Sequence, residues 1–93
     1  MPKRKIILTL IERLGSCHCH HGHKIGDRFD YDSDRGKLCP MAAHAAFPYV
    51  EILKYGGSVP LSTAGDMRFC CSDADVINVF RIDVMQKGEN CDA

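Results

Sequence analysis

The chain carries no excess of either charge: twelve Lys and Arg stand against twelve Asp and Glu. With no net field to draw in phosphate backbones or anionic lipid, the composition argues against nucleic acid or a membrane surface as partner. No run approaches the ~18–20 apolar residues that a membrane helix needs. The basic start Pro2-Lys3-Arg4-Lys5 imitates a signal-peptide opening, but Glu12 and Arg13 break the apolar run behind it and no small-residue cleavage site follows. A soluble, cytoplasmic protein is expected. Internal repeats are absent, as is a paired C-x-x-C signature. A phosphate-binding glycine loop is missing too, because Gly56-Gly57 comes after a helical stretch and not before one. Asp30, Asp32 and Asp34 alternate as in a calcium loop, yet the distal Glu and the flanking helices are lacking.

What is present fits one domain: ninety-three residues, 45% of them hydrophobic. Folding a chain of this size hides only ~60–65% of the surface it exposes when unfolded, so the apolar core gives marginal stability and a staple would help. The six cysteines would suggest a disulfide framework in a secreted protein. In a reducing compartment they read instead as metal ligands, a catalytic group or buried small residues.

Residues Lys5–Glu12 are apolar on both alternating faces, which suits a strand buried on two sides. A short strand is expected over Arg28–Tyr31, after a turn at Lys24-Ile25-Gly26-Asp27, and Asp32–Gly36 is a turn cluster. Pro40 suits a first helical position, which puts Cys39 at the N-cap of a helix reaching about Tyr55, with Gly56-Gly57 as its terminator. Ala42, Ala45, Ala46, Tyr49, Val50 and Leu53 form one face of that helix. Pro48 removes a hydrogen bond to the carbonyl of His44, so a kink or break is expected there. Met67–Cys71 and Val76–Val84 read as a closing hairpin, with Val76, Phe80, Ile82 and Val84 on one face and Arg81 and Asp83 on the other. The sum is an α+β fold: a small antiparallel sheet of about four strands packed on one main helix, with a frayed tail over 86–93.

Thiolate and neutral imidazole lose their protons at modest cost and so make good transition-metal ligands. Ser16–His23 holds Cys17, His18, Cys19, His20, His21 and His23; of these, Cys19 and His23 stand at a C-x-x-x-H spacing that a turn at Gly22 can fold onto one ion. The rest of that tract reads equally as exposed histidines with adventitious affinity. A closed site needs four ligands, so distant residues must join. Cys39 is one, because a helix N-terminus favours a thiolate. Cys70 and Cys71 are the other source, although adjacent strand residues face opposite ways and only one should enter the site. Each of that pair also reads as a buried inert thiol. His44 lies on a different helical face, and Cys91 falls in the tail.

Three blocks in order, Cys19-x-x-Gly22-His23-Lys24-x-Gly26-Asp27, then Cys39-Pro40 leading to Pro48-Tyr49 and Tyr55-Gly56-Gly57, then Cys70-Cys71-x-Asp73, resemble an uncharacterised family of small prokaryotic proteins, many from anaerobes. The resemblance runs from about Lys5 to Val84. It implies no established activity, but it selects Cys19, His23, Cys39 and the Cys70-Cys71 pair over Cys17, His18 and Cys91. Departures from the pattern stand at His20, Ser72 and Leu61, where the family commonly has proline, proline and an aromatic residue.

The expectation is a small cytoplasmic metal-binding protein with Cys19, His23, Cys39 and one of Cys70 or Cys71 around one ion. Zinc is placed ahead of an iron–sulfur cluster. Two alternatives stand beside it: a thiol-based redox protein or enzyme using Cys39, and an accessory subunit of a larger enzyme carrying an iron–sulfur cluster. The partner expected is a larger protein partner or a second copy in a homo-oligomer.

Overall fold

The computed structural model of the chain describes residues 4–15, 22–71 and 76–85. Strands β1 (Lys5–Leu14) and β2 (Arg28–Asp30) are followed by a short 3-10 turn at Arg35–Lys37, helix α1 (Pro40–Lys54), and strands β3 (Met67–Cys70) and β4 (Ile77–Met85). The strands form one sheet in the order β2-β1-β4-β3, antiparallel at every pairing. The expected α+β architecture is therefore the one observed. Strands β1, β2 and β3 begin at the expected residues and end one or two residues away from the expected ends, and β4 is shifted by one residue at both ends.

Five consecutive residues of β1, Ile6–Leu10, are buried, as the unbroken apolar run demands of the central strand. Ile6, Leu8 and Leu10 join Phe29, Phe69, Phe80, Ile82 and the helix residues Ala42, Ala46, Val50 and Leu53 in one core. The aromatic rings step across it: Phe80 stacks on Phe69 at 5.1 Å between centroids and tilts against Phe29 at 6.5 Å. Ile7 and Thr9 point to the other face. There they are flanked across the ladder by Asp30 and Asp83, and by Arg28 and Arg81, respectively.

Helix α1 begins where proline places it, and the carbonyl of Cys39 accepts the first helical bond from Ala43 at 2.8 Å. Its far end closes as a Schellman turn: the amides of Gly56 and Gly57 donate back to the carbonyls of Leu53 and Ile52, with Gly56 at φ +93°. A side chain at Gly57 would come within 2.7 Å of Ile52, so the second glycine is set by close approach. Of the kink or break expected at Pro48, the break does not occur; α1 continues through it as one helix. His44 and Pro48 both lie on the exposed side, where solvent can take the bond that the His44 carbonyl loses. Of the expected buried face, Ala42, Ala46, Val50 and Leu53 are buried, while Tyr49 is exposed at its rim and stacks on Phe69 at 6.3 Å.

The aspartates are turn-makers. Asp30 accepts the amides of Asp32 and Ser33 through Oδ1, and Asp34 accepts the amide of Asp30 at 2.9 Å. Asp27 accepts the amide of Lys24 at 2.9 Å in the turn before β2. No helix of the described residues is long and apolar enough to cross a membrane.

Candidate metal centre

A β-bulge decides what stands at the end of the sheet where β1 leaves and β4 enters. Register shifts between Leu10 and Glu12, after which Glu12 pairs with Val79, Arg13 with Asn78 and Leu14 with Ile77. Without that extra residue Arg13 would follow Ile7 and Thr9 to the open face. With it, Arg13 turns to the core side. There its Nε donates to Oδ1 of Asn78 at 3.0 Å, and its Nη2 donates to the carbonyl of His23.

His23 is buried, its ring 4.8 Å from that of Phe29. Its Nε2 accepts the backbone N–H of Cys39 at 2.9 Å. The N-cap residue Cys39 makes no side-chain cap of its own, and its thiol is half-buried. For a neutral imidazole, an accepting Nε2 puts the ring proton on Nδ1. As placed, then, the Nε2 lone pair is already in use.

Cys70 and Cys71 divide as strand geometry requires. Cys70 is exposed on the open face opposite Val79, and Cys71 is buried with the core cluster. The Cys71 thiol is satisfied on both counts: it donates to the carbonyl of Val76 at 3.3 Å and accepts the N–H of Asn78 at 3.3 Å. The amide of Cys71 donates to the carbonyl of Asn78 at 3.0 Å.

A continuous path of hydrogen bonds thus runs from Cys39 through His23, Arg13 and Asn78 to Cys71. It links three of the expected site residues. Cys19, with Cys17, His18, His20 and His21, lies outside the described residues, as do Cys91 and Asp73. His44 is exposed on α1. Among the described residues, no three Cys, His, Asp or Glu side chains gather as a metal site would require.

Arg13 and Asn78 were not among the expected site residues. Asn78 could have been suspected as the lone amide at a core-facing position of an apolar strand. Nothing in the order of residues marks the bulge that re-aims Arg13.

No family model matches the chain, and no curated protein or solved structure is significantly similar to it.

Proposed function

We propose that this is a small metal-binding protein whose centre forms at the bulged end of the sheet, from Cys19, His23, Cys39 and Cys71. The observation supporting it is the Arg13 path, which ties His23, Cys39 and Cys71 to one end of one domain. Gly15 and Gly22, which bracket the segment carrying Cys19, adjoin β1 and His23 at that end. Cys71 is preferred over Cys70 because it shares the helix-covered side with Cys39, whereas Cys70 is exposed on the other. A Cys₃His set is a normal structural zinc site, and the same thiols suit an iron–sulfur cluster, which is placed second.

The donor chemistry fits in part. A ligated Cys71 gives up its S–H proton and the bond to Val76, but it keeps the N–H of Asn78, and a backbone N–H donated to sulfur favours the thiolate. His23 enters only by releasing the Cys39 amide, so loading with metal changes the start of α1. A cytoplasmic setting, where thiols stay reduced, suits the set.

The second reading is a thiol-based redox protein or enzyme using Cys39. It is favoured by the half-buried Cys39 standing beside the His23 imidazole at a helix start. Metal analysis and ultraviolet-visible absorption of anaerobically purified protein separate the two. Zinc near one equivalent, or iron at about two to four equivalents with the visible absorption of a cluster, with Cys39 shielded from alkylation until chelator is added, supports the metal centre. A colourless protein without either metal, in which the half-buried Cys39 alkylates faster than the exposed Cys70, sinks it in favour of the thiol reading. Native pull-down addresses the remaining alternative, an accessory subunit of a larger enzyme.

A further inference from the structure

The face of the sheet that α1 leaves open carries its charges in rows. Directly paired residues of an antiparallel ladder point to the same face. The pairings of Thr9 with Arg28 and Arg81, and of Arg81 with Arg68, therefore place three arginines on one line across the sheet, with Thr9 between the first two. One level away, the pairings of Ile7 with Asp30 and Asp83 place two aspartates on a second line. Asp66, just ahead of β3 and two residues before Arg68, extends that line. The order is Arg then Asp in β2 and β4, and Asp then Arg in β3, which runs the opposite way. Reversal of chain direction thus keeps like charges in line.

Such a face is its own complement. A half-turn about an axis lying over the face, parallel to the rows and midway between them, brings the arginine line of one copy onto the aspartate line of another, strand by strand. We propose that this face seats a symmetric dimer, in which Arg28, Arg81 and Arg68 of each copy meet the partner's Asp30, Asp83 and Asp66. Face-to-face sheets pack ~10 Å apart, about the combined reach of an extended arginine and an aspartate. Within one chain Arg81 holds Asp83 at 3.1 Å and Arg68 holds Asp66 at 2.6 Å. A guanidinium has five N–H donors and a carboxylate two oxygens, so these contacts leave capacity for the partner's groups.

The balance of charge decides between occupants. An anion drawn to the arginine line would meet an equal line of carboxylates beside it, whereas a second copy satisfies both lines. The strands hold 10, 3, 4 and 9 residues; at ~3.4 Å rise and ~4.8 Å spacing they give about 420 Å² per copy, roughly half the ~800 Å² of a standard interface. The dimer is therefore weak and sensitive to salt.

Sedimentation equilibrium of the full chain between ~10 μM and ~1 mM, in ~50 mM and ~500 mM salt, is the first measurement. A monomer–dimer equilibrium is expected, with at least ~10-fold weaker association at the higher salt. Two charge-swapped chains carry the specific test: Arg68→Glu with Arg81→Glu, and Asp66→Lys with Asp83→Lys. Each alone should stay monomeric, and an equimolar mixture should form a 1:1 heterodimer. Circular dichroism checks that they fold; should either fail, Arg68→Gln with Arg81→Gln and Asp66→Asn with Asp83→Asn are each expected to weaken the dimer without cross-pairing. A wild-type chain monomeric throughout, a dimer indifferent to salt and to these changes, or inorganic phosphate shifting the Arg28, Arg68 and Arg81 resonances of a monomer would overturn the proposal.

Discussion

The backbone N–H of Cys39 donates to Nε2 of His23 across 2.9 Å, so an imidazole sixteen positions upstream does for the start of α1 what the Cys39 side chain does not. His23→Ala leaves that half-buried donor unpaired and removes a ring from against Phe29. A loss of about 1–3 kcal/mol is expected, read as a lower urea midpoint at unchanged slope. His23→Gln, which keeps an acceptor, should recover part of it. If His23 is also a ligand, both variants lose metal, although only the first loses much stability.

Arg13 acts through two acceptors on different segments, the Asn78 side chain and the His23 carbonyl. A single ammonium cannot reproduce the fork of a guanidinium, so Arg13→Lys should behave nearly as Arg13→Ala. Each is expected to cost about 1–2 kcal/mol and to weaken zinc retention roughly tenfold, as loss of a group that orients ligands does. Competition with a chromogenic chelator measures the second effect. Unchanged retention would remove Arg13 from the centre and leave it a structural tie.

How far the sequence carried the fold follows from the same residues. Ile6–Leu10, Pro40 and Gly56-Gly57 act locally, through an apolar run, a fixed φ, and positive φ at Gly56 with close approach at Gly57, and the strand and helix they mark are where they were expected. The division of Cys70 from Cys71 was legible for the same reason, since alternation is a property of the strand itself. Arg13 was not legible. Its direction depends on one extra residue in β1 opposite β4, a relation between segments more than sixty residues apart along the chain. The role of His23 was only half legible: its imidazole was expected to seek a metal, while a backbone donor from a distant helix competes for the same lone pair.

The two adjacent thiols differ in what they touch, and chemistry should separate them. Cys70 is exposed, and Cys71 is buried with both a donor and an acceptor. In metal-free protein a small disulfide reagent should modify Cys70 within minutes but reach Cys71 only at the rate at which the hairpin opens. Cys70→Ser should be neutral within about 0.5 kcal/mol. Cys71→Ala, which abandons the Val76 carbonyl and the Asn78 amide and leaves a small void, should cost about 1–3 kcal/mol. Mass mapping of singly labelled protein gives the order, and equal labelling of both would contradict the burial of Cys71.

Lys54, buried at the last turn of α1, donates to Asp32 at 2.9 Å, lies 3.7 Å from Glu51 and stands over the Tyr31 ring at 5.7 Å. The hydrogen bond to Asp32 is the main reason its ammonium is held above the ordinary lysine range, outweighing the opposing effect of burial; the charges of Asp32 and Glu51 add to it. A raised lysine pKa means that the folded state binds its proton more tightly than the unfolded chain does. The contribution is therefore complete below the unfolded value of about 10.5 and is lost as pH rises through the higher folded value. Asp32→Asn removes the largest cause, and because Asp32 is itself half exposed the expected cost at neutral pH is about 1–2 kcal/mol. Melting temperatures from pH 7 to 11 should show the variant below the parent across the neutral range, with the gap narrowing at the alkaline end as the parent's Lys54 also loses its proton. A gap that widened there would mean the sign of this coupling is reversed.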